Sequence, residues 1–159
     1  MNLSLIFAEY ISVHPNGFFS MLNGGINALA AQPVNDKGQQ PNFNGHLLVR
    51  IETRPEEGGK HVLKLRLQDQ QNALLVPEIT VNFETPTQPS MPVNLALAIP
   101  IPLKKGNYAF FAEVDGKRLA HWPLSIVEAQ QKAQAGPPPT PTPNPWGNPA
   151  GFGGKLPQA

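Results

Sequence analysis

The sequence predicts an all-β fold: an immunoglobulin-like antiparallel β-sandwich of about eight strands, followed by a disordered Pro/Gly-rich C-terminal tail. Three observations carry this reading. Apolar and polar residues alternate at period two over most of residues 1–126, the pattern of strands with one face in a core. Clusters of Gly, Asn, Asp and Pro interrupt the alternation at the short spacing of sandwich turns. No helical stretch of about a dozen residues separates two of the runs, so parallel crossovers have no room.

The elements follow in chain order. The opening run, Leu3 to Ala8, is mostly apolar, with Glu9 read as its end. His14-Pro15-Asn16-Gly17 suits a tight hairpin, because proline pre-sets one dihedral and Asn-Gly accepts positive φ. Asn23-Gly24-Gly25 permits a bulge or a switch between sheets. Residues 31–42 form the longest irregular piece. Six alternating runs follow. Their core-facing series are Leu47, Val49 and Ile51; Leu63, Leu65 and Leu67; Ile79, Val81 and Phe83; Val93, Leu95, Leu97 and Ile99; Tyr108, Phe110, Ala112 and Val114; and Trp122, Leu124 and Ile126. Pro123 lies inside the last run, which places that strand at a sheet edge or gives it a bulge.

Composition changes near residue 136. The last 24 residues hold eight prolines, five glycines and one charge, Lys155. Such a segment cannot bury enough apolar surface to offset its ordering entropy. The expected domains are therefore a sandwich over 1–127, a short helical or irregular connector over 128–135, and a tail over 136–159.

The same counts exclude several function classes. With 12 basic and 11 acidic side chains the net charge is +1, which supplies no field for nucleic acid or an anionic membrane. Neither is expected as a partner. There is no cysteine, so disulfides, thiolate metal sites and a cysteine nucleophile are excluded. No Lys or Arg precedes Lys37 and Glu9 interrupts the first apolar run, unlike a secretory leader. No run approaches the length of a membrane span. A cytoplasmic protein is expected.

Two stretches resemble a known family. They are Leu5 to Val13 with Asn16 to Gly25, and Ile101-Pro102-Leu103-Lys104-Lys105-Gly106-Asn107-Tyr108 through Val114-Asp115-Gly116-Lys117. Together they look like an uncharacterised bacterial family of short single-domain β-sandwich proteins, over roughly residues 3–127. Ile26-Asn27 stands where that family usually has an aromatic residue. The resemblance implies the fold and carries no function.

Candidate chemistry is sparse. His14, His46, His61 and His121 lack metal-ligand spacing and read as solvated side chains. None of the five serines sits in a Gly-x-Ser-x-Gly context. Glu9 reads as a carboxylate bonded to backbone or arginine donors. No cofactor is expected. The expected function is a non-enzymatic protein-binding or scaffold module, with a protein partner or self-association. Its expected contacts are Leu48 and Phe111, with one of Phe18 and Phe19, on an outer sheet face, and Pro138, Pro141, Trp146 and Phe152 in the tail, where Pro138 and Pro141 have PxxP spacing. The alternative is a small-ligand or carbohydrate-binding sandwich with Trp122 or Phe111 as a stacking platform.

The composition break generates one expectation. Removing residues 136–159 should leave the urea midpoint almost unchanged. A large loss of stability would show that the segment packs on the domain.

Overall fold

The computed structural model describes residues 1–86 and 92–128. The described residues form nine strands: β1 (Asn2–Val13), β2 (Phe19–Gly24), β3 (Ala28–Ala31), β4 (Asn42–Glu52), β5 (Gly59–Asp69), β6 (Ile79–Thr85), β7 (Val93–Pro102), β8 (Gly106–Val114) and β9 (Lys117–Glu128), the last six from the six alternating runs. One 3-10 turn, Pro55–Glu57, joins β4 to β5. The strands make two sheets, in the orders β2-β1-β4-β7 and β3-β9-β8-β5-β6.

The period-two series face each other between the sheets. Leu3, Leu5 and Phe7 of β1, Leu47, Val49 and Ile51 of β4, and Ile99 and Ile101 of β7 come from the first sheet. Leu63, Leu65 and Leu67, Phe110, Ala112 and Val114, and Leu124 and Ile126 come from the second. Phe7 links the two layers. Its ring centroid lies 5.3 Å from that of Phe110 and 5.9 Å from that of Phe43. Gly45 makes this possible, since a Cβ there would lie 2.3 Å from Phe7 Cζ.

The turns follow the predicted chemistry. In the first hairpin the Gly17 amide donates to the His14 carbonyl at 2.9 Å, and Gly17 has φ 80°. Asp115 and Gly116 connect β8 to β9 with φ 49° and 82°, the two positive values that a two-residue hairpin turn needs.

Several expectations are corrected. The sandwich is not wholly antiparallel: β3 pairs parallel with β9, from Ala28↔Ser125 to Ala31↔Glu128. This is possible because β3 and β9 stand far apart in the chain, with five strands between them to provide the crossover. Glu128, expected to begin the connector, is still part of β9, because its backbone is held in the ladder with β3. Pro123 lies in a strand that has neighbours on both sides, but β3 pairs only with Ser125 to Glu128. Among the described residues only β8 pairs with Pro123, so the missing N–H is tolerated. The register shift of this pair is elsewhere, between Ala112 and Glu113. Glu9 does not end a strand, since β1 runs on to Val13.

Leu48 is the main correction. It was expected on an exposed outer face, and it is 0% exposed. It does point away from the main core, but a second apolar cluster covers it: Ala8 and Ile11 are buried with it, and Ile6, Val13, Phe19, Met21 and Ala96 pack around them. The cover is the first hairpin. β1 pairs with β4 only through Ala8, and its later residues run with β2 over the outside of the sheet. β1 consequently touches β7 although β4 lies between them. At the hairpin tip the Gly17 carbonyl accepts a 2.7 Å hydrogen bond from Asn94 Nδ2 on β7.

Truncation separates the layers. Phe110→Ala should lower stability by about 3–5 kcal/mol and Leu48→Ala by about 2–5 kcal/mol, both read by urea unfolding. Phe111→Ala should lose about 1 kcal/mol or less, because its ring has lost only an outer-face contact.

Candidate functional site

Three of the seven exposed large hydrophobic side chains among the described residues lie on the first hairpin: Tyr10, Phe18 and Leu22. Tyr10 and Leu22 face each other across β1 and β2, and they are 53% and 54% exposed. Phe18 at the tip is 61% exposed. Their exposure follows from the fold-over. Ile11, Val13, Phe19 and Met21 turn inward onto Leu48, so the alternate residues must face outward. Polar contacts stiffen the surface. Tyr10 packs edge-on to His46 at 5.1 Å, and His46 Nδ1 lies 3.0 Å from the Glu9 carbonyl. His14 Nε2 lies 2.9 Å from Ser20 Oγ. The Glu9 carboxylate accepts from Asn23 Nδ2 at 2.6 Å, in place of the backbone or arginine donors expected.

The residues expected to form a sheet-face contact are not brought together. Phe19 and Leu48 share the cluster beneath the hairpin, whereas Phe111 lies on β8 of the other sheet. There the Arg118 guanidinium sits 4.1 Å from the Phe111 ring centroid, and the His121 ring stacks at 6.2 Å. Trp122 does not offer a stacking platform. It packs against the main core, and its indole N–H donates to the Ile26 carbonyl at 2.8 Å. Pro138, Pro141, Trp146 and Phe152 lie outside the described residues. Tyr10 and Leu22 are the exposed apolar pair that sequence reading missed. The available signal was that both flank an Asn-Gly hairpin in a segment with no positive charge.

A second cluster of polar groups lies elsewhere. His61 is not a solvated histidine. Its Nδ1 is 2.6 Å from Asp115 Oδ2, and its Nε2 is 2.9 Å from the Glu57 carbonyl. Asp115 Oδ1 accepts from the Val62 amide at 2.9 Å. Both neighbours of the ring are acceptors, so only an imidazolium, with two N–H donors, satisfies both. The Asp115 hydrogen bond raises the His61 pKa against the opposing effect of burial. The reciprocal bond from His61, then that from Val62, holds Asp115 below its ordinary value. A shallow groove of about 340 Å³ beside the pair is bordered by Val114, Lys117 and Leu119. Both ring nitrogens are engaged in joining β5, the 3-10 turn and the β8–β9 turn, an arrangement that holds backbone together. Among the described residues no group of three His, Asp or Glu side chains could hold a metal ion.

Comparison with known proteins places the chain in a family. Residues 6–127 fit the pattern of a family of unknown function (DUF6941). The chain belongs to that family. The matched span runs from β1 into β9 and so includes both sheets and the first hairpin. It agrees with the resemblance read from the two terminal stretches. No curated protein matches the chain. Among the described residues no helix is long and apolar enough to cross a membrane.

The His61–Asp115 pair sets a pH dependence. The folded chain holds the His61 proton more tightly than the unfolded chain does. This contribution is therefore complete below about pH 6.5 and is lost as pH rises through the raised folded value. The lowered Asp115 value acts at the other end: its contribution is present above about pH 3.9 and is lost as pH falls through the depressed folded value. Urea midpoints should fall between pH 6 and pH 8 in the wild type, and the fall should be shallower in His61→Ala.

Proposed function

We propose that this protein is a non-enzymatic binding module whose contact surface is the outer side of the β1–β2 hairpin. The observation that carries the reading is the exposed cross-strand pair Tyr10 and Leu22, with Phe18 at the tip. An apolar hairpin already has its inward side occupied by Ile11, Val13, Phe19 and Met21. The outward apolar residues therefore contribute nothing to that cluster, and exposed apolar groups of this kind mark contact sites. Tyrosine suits such a site, because it offers a large rigid surface with few rotatable bonds. The role of the His61–Asp115 pair as a backbone brace supports binding rather than catalysis.

A photo-cross-linking amino acid at Leu22, in the full chain within its native cells, tests the reading. A discrete adduct to protein is expected from Leu22 and none from Asn82, on the outer face of the other sheet. No adduct from Leu22, or equal adducts from both positions, overturns it.

A further inference from the structure

The free edges of the two sheets are protected unequally. The edge strand β7 contains Pro100 and Pro102 and follows Pro92. The edge strand β6 contains Glu84 and lies between Glu78 and Pro86. The edge strand β3 is only four residues long. Proline, charge and shortness are the devices that keep a sheet edge from pairing with another chain. β2 has none of them. Its six residues, Phe19-Ser20-Met21-Leu22-Asn23-Gly24, include no charge and no proline, and among the described residues β1 is the only strand paired with them.

We propose that β2 is the joint between two copies of this chain, paired antiparallel about a two-fold axis so that two four-stranded sheets become one of eight strands. This rests on the reading of the hairpin as a contact surface and names its partner. Charge selects the occupant. A two-fold axis sets a strand against itself, so any charged residue near the axis would meet its own kind at a cost. β2 carries none. A charged strand from a different protein would find no counter-charge along β2, and the adjacent Glu9 carboxylate is already engaged by Asn23. The central residues Met21 and Leu22 come next to the axis. Met21 is tucked beneath, onto the cluster around Leu48. Leu22 is left to pack against the copy, with Tyr10 beside it.

Sedimentation velocity of the full chain, over a concentration series into the high micromolar range, tests the proposal. A monomer–dimer equilibrium is expected. Leu22→Lys and Ser20→Lys should each weaken it by roughly tenfold or more, as charge on an edge strand does. Asn82→Lys on the β6 edge should leave it unchanged, and near-ultraviolet circular dichroism should show each variant folded. A single monomeric species throughout overturns the proposal, as does a dimer that neither β2 variant weakens. A monomer here, together with a cross-link from Leu22 to a different protein, removes self-pairing and leaves the contact surface standing. A monomer with no such cross-link removes both.

Discussion

Phe7 is the contact on which both layers of this structure depend. Its ring touches Phe110 across the sandwich and fits there because Gly45 has no side chain. Its carbonyl accepts from the amides of both Gly25 and Ile26, each at 2.9 Å. One residue thus fixes the inner packing and the point where the chain returns from the hairpin. Beyond it, Ala8 is also buried, but in the outer cluster. Two successive buried residues mark the place where β1 leaves one apolar environment and enters another. The left-handed backbones of Asn23 and Gly25, at φ 47° and 87°, complete the change of direction.

The two outer faces are consequently finished in different ways. The first sheet is covered by its own hairpin, and Leu48 is sealed by apolar contacts. The second is covered by side chains reaching across strands. Arg66 bonds Glu78 at 2.5 Å and reaches Glu113 at 3.4 Å, and Arg118 lies over Phe111. Such partly exposed ion pairs each contribute little. The stability of the second sheet therefore comes from its inner face, and its outer face is free to vary. On the first sheet both faces contribute to packing.

The main core was legible because it depends on local periodicity alone. Leu63, Leu65 and Leu67 could be assigned to one face without knowing their partners, and all three are buried. The orientation of Leu48 was legible by the same rule. Its cover was not, because the spacing of buried residues along β1 changes from two to three between Ala8 and Ile11, and a period-two reading has no term for a strand that bends over its own sheet. His61 was misread for a related reason. Its partner Asp115 lies 54 residues away, and only the pairing of β5 with β8 brings that turn alongside. The Asp-Gly turn itself was legible, since its backbone demand is local. The exposed pair Tyr10 and Leu22 became visible only once the hairpin's inward side was known.

The short parallel joint between β3 and β9 bears on how the chain folds. Other neighbouring pairs, such as β8 with β9 or β1 with β2, close through short turns and form early at small entropic cost. The β3–β9 joint must wait for a much longer loop: the indole of Trp122 meets the Ile26 carbonyl across 96 residues. Closures of that length are slow, because chain entropy is lost before the contact rewards it. Chain entropy alone therefore orders this joint after the short hairpins. Trp122 is the only tryptophan among the described residues, so a fluorescent side chain stands at that seam.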